Sequence, residues 1–337
     1  MNISPKVSVI VPVHNAGKKL HNCLTALQNQ TLRDMEFIIV LDCPTDGSDN
    51  VVMQYATQDD RFVVLRNEEN LHIGESRNRG MAVAKGEYIG FSDHDDDCEL
   101  DMFEKLYTVA KKADADVCNS YLLFRYEDHD DVYPFPSDFD ADLAATAIVE
   151  CKPLQKGIPS YRNIKSVWLH LFKAEFLRSN QIRYVDTRRV SMEDIFFCAE
   201  VYMSHPRVTT VHEPLYHWWQ DANSTSHKYS YANQQMVISY SELLYRAVKQ
   251  RGWYPRLLPE LTESSVRRLY TSFFVEWKHC REGIVGRFRQ RLAASATLCE
   301  FFAHVHWATL KRLPLTKLLF YYCVMKPALA HPSKYKS

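Results

Sequence analysis

The sequence predicts an α/β protein with a mostly parallel central sheet, followed by a C-terminal helical region. Over the first hundred residues, short β-branched runs alternate with amphipathic helical stretches, a pattern typical of right-handed crossovers between parallel strands. From residue 231 onward nearly every segment has helical periodicity, interrupted only by prolines. We therefore expect two domains, an α/β domain at 1–228 and a helical region at 229–337.

The elements of the first hundred residues follow one another in a regular order. Strands are expected at Val7–Val11, Glu36–Leu41, Phe62–Leu65 and Glu87–Phe91. Helices are expected around Leu20–Leu27, Val51–Tyr55 and Arg77–Ala84. Pro12 should end the first strand, because proline has no backbone N–H. Ligands of parallel sheets bind at the carboxyl ends of the strands, so the loops after Val11, Leu41 and Phe91 should converge on one crevice.

Later segments carry weaker signals. An apolar stretch lies at Val167–Leu177, a capped helix is expected at Ser191–Met203, and a strand is expected at Val208–His217. The helical region should be divided by Pro255, Pro259, Pro314 and Pro327.

Composition excludes several classes of protein. The 337 residues include 41 Lys plus Arg and 41 Asp plus Glu, and a formal net charge of zero argues against nucleic acid as a partner. The nine cysteines are scattered without a C-x-x-C pair, which favours reduced thiols in a cytoplasmic setting over disulfides or a zinc site. No secretory signal is evident at the N-terminus, and the apolar stretch Leu313–Met325 is too short to span a bilayer.

The most acidic part of the chain follows the fourth predicted strand. Residues 86–142 contain seventeen Asp or Glu against four Lys or Arg, and four of the acids are Asp93, Asp95, Asp96 and Asp97. Carboxylates about 4 Å apart repel by roughly 1 kcal/mol even in water, so such a loop favours a bound cation. Mn²⁺ or Mg²⁺ bridging a diphosphate fits these ligands, and a solvated acidic loop is the alternative. The spacing also matches a calcium-binding EF-hand, but Cys98 stands where that loop needs glycine.

Three further candidates have both a functional and a structural interpretation. Asp42, after the second strand, can accept hydrogen bonds from a base or ribose, or can simply belong to a turn. Arg77, expected to open a helix, can face a phosphate. Glu193 and Asp194 precede two phenylalanines, so a raised pKa would suit a general base, whereas helix capping is the plain alternative.

These segments, taken in order, resemble a family-two glycosyltransferase with a GT-A nucleotide-sugar-binding fold. The resemblance is carried by V-S-V-I-V-P-V-H-N at 7–15, V-L-D-C-P-T-D-G-S at 40–48, the stretch 70–96 that ends in D-x-D, M-E-D-I-F-F at 192–197 and P-L-Y-H-W-W at 214–219. It covers about residues 5–227. Single motifs of this kind are weak, but their order and spacing are specific.

The resemblance implies roles for the matching positions. The nucleotide-sugar donor would be held by Pro12, Asn15, Asp42, Arg77 and Asp93. Asp93 and Asp95 would hold the divalent ion, with His217 as a further candidate ligand. Asp194, supported by Glu193, would deprotonate the acceptor hydroxyl in a single inverting displacement. The expected donor is a uridine diphosphate sugar, and the expected acceptor is a saccharide or lipid-linked saccharide used in surface polysaccharide synthesis.

Two rival functions differ in testable ways. A sugar-phosphate nucleotidyltransferase usually needs a glycine-rich basic loop after the first strand, and P-V-H-N-A-G-K-K contains one glycine. A binding protein that has lost catalysis would not need Asp194, and a turnover assay separates it from an enzyme.

The last part of the chain is basic and aromatic. Residues 281–337 contain ten Lys or Arg against two Glu, and cations such as Arg287 and Lys317 alternate with aromatic residues. The aromatic set is Phe288, Phe301, Phe302, Trp307, Phe320 and Tyr321. This segment is expected either to rest on the inner face of the cytoplasmic membrane or to pack its aromatic residues onto the catalytic domain with the charges facing water.

Overall fold

A computed structural model describes residues 4–135, 142, 164–220 and 231–335. The chain divides into two units. The first comprises Met1–Ile148, Pro153–Thr187 and Glu193–Ser224, and the second comprises Val149–Lys152, Arg188–Met192 and Thr225–Ser337. In the described residues, the first unit is α/β and the second is helical.

The first unit contains one mixed sheet of nine described strands. They are β1 Val7–Val13, β2 Met35–Leu41, β3 Phe62–Arg66, β4 Tyr88–Phe91, β5 Asp97–Cys98, β6 Val117–Arg125, β7 Asp130–Tyr133, β8 His170–Lys173 and β9 Val208–Trp219. Their order is β3–β2–β1–β4–β8–β6–β9–β5, with β7 paired to β6. The four strands predicted in the first hundred residues, in the order β3–β2–β1–β4, are parallel. Beyond them β8 pairs antiparallel with β4 and β6, β7 pairs antiparallel with β6, and β5 pairs antiparallel with β9. The pair β6 and β9 is parallel.

Six α-helices of the described residues accompany this sheet. They are α1 Leu20–Gln28, α2 Ser48–Gln58, α3 His72–Val83, α4 Met102–Lys112, α5 Ala174–Ser179 and α6 Glu193–Tyr202. Every residue of β1 and β2 is buried, as expected for parallel strands covered on both faces. This rigid centre fixes the loops that leave the carboxyl ends of the strands.

The sequence had indicated that Pro12 ends the first strand, but this prediction is wrong. Pro12 lies inside β1, opposite Val40 of β2. The strand β4 pairs with β1 only as far as Ile10. From that point one side of β1 has no ladder, so a residue without an N–H is accommodated there.

Two helices begin at positions other than those predicted. Helix α3 begins at His72, five residues before Arg77, so Arg77 lies within the helix rather than at its start. Helix α6 begins at Glu193 and not at Ser191, which places Glu193 and Asp194 in its first turn. Both shifts change what these side chains can contact.

The second unit contains seven described α-helices. They are α7 Tyr231–Gln250, α8 Leu258–His279, α9 Ile284–Ala294, α10 Ala296–Ala303, α11 Trp307–Leu310, α12 Leu315–Phe320 and α13 Lys326–Ala330, with a π-helical turn at Tyr321–Met325. Pro259 lies in the first turn of α8, where its missing N–H is harmless. In the described ranges, none of the helices combines the length and the apolar character needed to cross a bilayer.

The aromatic residues of the tail mostly form a core. Phe288, Phe301, Phe302, Phe320 and Tyr321 are buried, and rings such as Phe273 and Phe288 meet edge to face. Trp307 differs, because it is 56% exposed. Five of the six aromatic residues that the sequence had singled out are therefore buried.

Candidate active site

The loops after β1 and β2 are joined by hydrogen bonds at the carboxyl edge of the sheet. The backbone N–H of Ala16 donates to Ser48 Oγ over 3.1 Å, and that of Gly17 donates to Asp46 Oδ2 over 2.9 Å. Asn15 Oδ1 accepts from the Thr45 N–H at 2.7 Å. These contacts hold the two loops together, as the predicted convergence on one crevice requires.

Asp42 lies directly after β2 and is held by neutral donors. Its side chain is buried, and Oδ1 accepts from the Asn67 side-chain amide at 2.6 Å and from the Leu71 N–H at 2.7 Å. Its carbonyl accepts from His14 Nδ1 at 2.5 Å. Oδ2 makes no hydrogen bond to any residue in the described ranges. The carboxylate is thus fixed by one oxygen while the other remains available.

Asn67 was missed by the sequence analysis, although it organises this corner. Its amide nitrogen donates to Asp42 and also to Ser76 Oγ at 3.0 Å. Its side-chain carbonyl oxygen accepts from Arg79 Nη1. Asn67 follows β3 directly, as Asp42 follows β2, so its place at a strand end was the available signal.

The four aspartates after β4 have four different environments. Asp93 Oδ1 accepts from Arg77 Nη2 at 2.8 Å. Asp96 is buried, and its oxygens accept from the Tyr216 hydroxyl at 3.1 Å and the Trp219 N–H at 3.0 Å. Burial, together with the charges of Asp93 and Asp95, raises the pKa of Asp96 well above its usual value. Asp96 therefore anchors the loop to β9.

Asp97 is paired with His217. Asp97 Oδ1 lies 2.5 Å from His217 Nδ1, and Oδ2 accepts from Trp219 Nε1 at 2.8 Å. Burial would raise the pKa of Asp97, but these hydrogen bonds lower it below its usual value. His217 Nε2 lies 3.0 Å from Glu99 Oε1, so both ring nitrogens of this residue face carboxylates.

Asp95 is the member of this run whose carboxylate forms no hydrogen bond or ion pair with the described residues. It is half-buried and follows His94, whose Nδ1 donates to the Pro12 carbonyl at 3.2 Å. In the described ranges no three His, Cys, Asp or Glu side chains form a ready-made metal site. A Mg²⁺ or Mn²⁺ ion that is bound mainly by a diphosphate needs only one or two protein carboxylates, so Asp95 with Asp93 fits such an ion.

Arg77 connects the acidic loop to the start of α6. Arg77 is 2% exposed, and its guanidinium contacts Asp93 through Nη2 and Glu193 Oε1 through Nη1 at 3.1 Å. It also lies 5.2 Å from the centre of the Tyr184 ring. Burial disfavours its charge, but the acidic groups around it raise the pKa of Arg77 above its usual range. The side chain faces these carboxylates rather than solvent.

Asp194 adjoins this ion-pair cluster. Burial and the negative charge of Glu193 raise the pKa of Asp194 to about 7, while Arg77 opposes the rise. Its Oδ1 accepts from the Ile195 N–H at 2.7 Å. Beneath the cluster, the Tyr184 and Phe197 rings stack with their centres 4.2 Å apart. A carboxylate with this pKa can take up a proton near neutral pH.

Gly74 allows α3 to pack closely against the segment that leads to α6. A Cβ atom at this position would lie 2.5 Å from the Val185 carbonyl oxygen and 2.7 Å from Thr187 Oγ1. The Gly74 N–H donates to the same Thr187 hydroxyl at 2.9 Å. Sequence analysis could not identify this requirement, because the contact joins residues 113 positions apart.

The residues predicted from the sequence thus form two neighbouring groups. Asn15 and Asp42 lie at the β1 and β2 ends, whereas Arg77, Asp93, Glu193 and Asp194 form the second group. Pro12 contributes its carbonyl to His94 from within β1. His217 is 4% exposed and is turned toward Asp97 and Glu99.

Comparison with known proteins identifies relatives of this chain. Residues 8–156 match the family model "Glycosyl transferase family 2". The uncharacterized glycosyltransferase YibD of Escherichia coli K12 is 30% identical over 239 residues, which are 70% of this chain and 67% of YibD.

Solved structures share the fold. Staphylococcus aureus TarS 1–349 in complex with UDP-GlcNAc superposes with a TM-score of 0.63 at 17% identity, covering 98% of this chain and 90% of that one. The mannosyltransferase PcManGT of Pyrobaculum calidifontis, in complex with GDP-Man and Mn²⁺, gives 0.51 at 16% identity, covering 99% and 87%. The mixed α/β sheet is therefore of the GT-A type.

Proposed function

Because the chain belongs to glycosyltransferase family 2, we propose that it is an inverting, metal-dependent enzyme acting on a uridine diphosphate sugar. The acceptor would be a hydroxyl of a saccharide or lipid-linked saccharide. Surface polysaccharide synthesis at the cytoplasmic face of the membrane is the setting we propose. The eight free cysteines among the described residues are consistent with a reducing compartment.

The observation that carries this proposal is the Arg77 bridge. One buried guanidinium contacts Asp93, on the donor side, and Glu193, next to the proposed base. The bridge therefore holds the groups for donor binding and for proton transfer in one cluster. Such fixed geometry is what a displacement at the anomeric carbon requires.

Donor recognition would use the carboxyl edge of the parallel strands. The free Oδ2 of Asp42 can accept from a base N–H, and Asn15 borders the same loop. The UDP-GlcNAc complex of TarS supports a uridine donor, and the Mn²⁺ complex of PcManGT supports a divalent ion. Asp95 and Asp93 would hold that ion, which would offset the negative charge of the leaving diphosphate.

The transfer itself would need one base. The acceptor oxygen forms a bond to the anomeric carbon while the bond from that carbon to the diphosphate oxygen breaks. The acceptor proton passes to the carboxylate of Asp194, and the nucleoside diphosphate departs with the electron pair. Attack opposite the leaving group inverts the anomeric configuration.

Substitution of the base tests the proposal. Asp194→Asn should lower kcat by about 10²–10⁴-fold, the usual contribution of general-base catalysis, and should leave UDP affinity nearly unchanged. A screen of nucleotide sugars with Mn²⁺ or Mg²⁺, followed by release of the nucleoside diphosphate, provides the assay. The matched control is Asp49→Asn in the first turn of α2, a half-buried aspartate that is paired with Arg66. Full activity in Asp194→Asn would remove the base assignment, and no turnover with any donor would favour a binding protein.

A further inference from the structure

The second unit exposes several large apolar side chains near its end. The three most exposed large hydrophobic side chains in the described ranges are Leu315 at 70%, Trp307 at 56% and Leu319 at 54%. Tyr322, at 37%, lies close by. We call Trp307, Leu315, Leu319 and Tyr322 the apolar face.

These four side chains share one side of the unit. Leu315, Leu319 and Tyr322 recur at i, i+4 and i+7 along the helical run from α12 into the π-helical turn, so they project in similar directions. The ring of Trp307 lies 6.3 Å from that of Tyr322. The other side of the run is filled by Phe320, Tyr321, Val324 and Met325, which are buried. The apolar face is therefore not needed for the core of this unit.

The charges around the apolar face are almost all positive. From Trp307 to Tyr335 the sequence contains five Lys or Arg and no Asp or Glu. Lys311 and Lys326 are exposed, and Lys326 Nζ lies 4.9 Å from the centre of the Tyr322 ring. The acid that reaches this segment from another helix is Glu260, which is paired with Arg312 at 3.2 Å.

A cavity of about 510 Å³ opens beside the same residues. Its lining includes Trp307, Leu310, Tyr321, Tyr322, Lys326 and Leu329. Aromatic walls with one ammonium group at the edge suit the boundary between an acyl chain and an anionic headgroup.

We propose that the apolar face and its lysines dock this protein on a bilayer that contains anionic lipid. Trp and Tyr favour the membrane interface, leucines can enter it, and cations attract anionic headgroups. A second copy of the chain is a poorer occupant, because two such faces would bring like charges together. The docking goes beyond the transfer reaction and can be measured without donor or acceptor.

The test is flotation of the full-length protein with vesicles. Binding to vesicles of phosphatidylglycerol and phosphatidylcholine in equal parts is expected, with much weaker binding to pure phosphatidylcholine. Trp307→Ala/Leu319→Ala should weaken binding by about tenfold or more, since both substitutions remove apolar surface that the bilayer would bury. Lys311→Gln/Lys326→Gln should weaken it by about fivefold per lysine at low salt, corresponding to roughly 1 kcal/mol each.

Matched controls keep the proposal falsifiable. Trp277→Ala removes an exposed tryptophan of the same unit, and Lys85→Gln/Lys112→Gln removes two exposed lysines elsewhere. Both controls should bind like the parent, and all variants should keep the parent melting temperature and rate of donor hydrolysis. Absence of binding to anionic vesicles, or equal binding by every variant, would overturn the proposal. Sedimentation that shows a dimer dissociated by Trp307→Ala/Leu319→Ala would also overturn it, because the face would then join two copies.

Discussion

Asp42 and Asp93 occupy similar places in the sheet, but the protein holds them in different ways. Each follows a parallel strand, and each has one oxygen engaged by the protein. Asp42 receives hydrogen bonds from a neutral amide and a backbone N–H, 25 and 29 residues along the chain. Asp93 receives a hydrogen bond from Arg77, which is a buried cation. Arg77 also donates to Glu193, which lies 116 residues further along the chain.

The difference separates orientation from charge compensation. Neutral donors fix the direction of the Asp42 carboxylate but leave its negative charge to be met by whatever binds there. The guanidinium of Arg77 also compensates negative charge, because it is buried and three carboxylates lie around it. We therefore expect loss of the guanidinium to lower the stability of the fold. Loss of a neutral hydrogen-bond donor to Asp42 should mainly lower the affinity for the nucleotide sugar.

The largest expected effect comes from removing the cation. Arg77→Met should destabilise the protein by about 3–5 kcal/mol, because Asp93 and Glu193 would remain partly buried without their partner. Urea unfolding at pH 7.5 measures the change. The control Arg178→Met removes an exposed arginine paired with Glu175 and should cost less than about 1 kcal/mol. Equal costs for the two variants would mean that the Arg77 bridge is not a compensating ion pair.

The second effect is a pH dependence of the reaction. A base must be ionised, and the pKa of Asp194 is raised to about 7, so kcat/KM should fall about tenfold for each pH unit below that value. Glu193 helps to raise this pKa, so Glu193→Gln should move the acid limb to lower pH. The glutamine oxygen can still accept from Arg77, and transfer should persist. Abolition of transfer by Glu193→Gln with a normal fold would make Glu193 the base instead.

A smaller effect is expected at the other anchor of the acidic loop. The Tyr216 hydroxyl donates to Asp96 and accepts from the Asp93 N–H at 3.1 Å. Tyr216→Phe removes the partner of Asp96 Oδ2 and of the Asp93 N–H, although Asp96 Oδ1 keeps the Trp219 N–H, and should cost about 1–3 kcal/mol of stability. Thermal unfolding compares it with Tyr121→Phe, whose hydroxyl lies at an exposed site beside His212. A cost no larger than that of the control would show that the loop does not depend on this tether.

The sequence predicted the part of the site that depends on local pattern. Alternating β-branched runs and amphipathic stretches gave the parallel strands β1 to β4, and the parallel order brought their loops together. The hydrogen bonds between Ala16 and Ser48 and between Gly17 and Asp46 have the geometry expected from that order. Chain order and periodicity were enough to locate this edge.

The partners of each acidic residue could not be predicted in the same way. Tyr216 meets Asp96 across 120 residues, and Arg77 meets Glu193 across 116. A local pattern contains no information about such pairings, because they depend on how β9 pairs within the sheet and how α6 packs on it. For the same reason Arg77 was expected at a helix start facing a phosphate, whereas the structure buries it between two carboxylates.

The smallest expected effect concerns the neutral hydrogen-bond donors that hold Asp42. Asn67→Ala removes one of the two donors to Asp42 Oδ1 and leaves the Leu71 N–H in place. UDP affinity should fall several-fold, corresponding to about 1 kcal/mol for one hydrogen bond, with kcat nearly unchanged because Asn67 does not touch the Arg77 cluster. Asn29→Ala, which removes an exposed amide bonded to Thr25, is the control. Calorimetry with UDP measures both, and Asp42→Ala sets the full loss. If Asn67→Ala bound UDP as tightly as the parent while Asp42→Ala did not, the Leu71 N–H alone would be sufficient to orient the carboxylate.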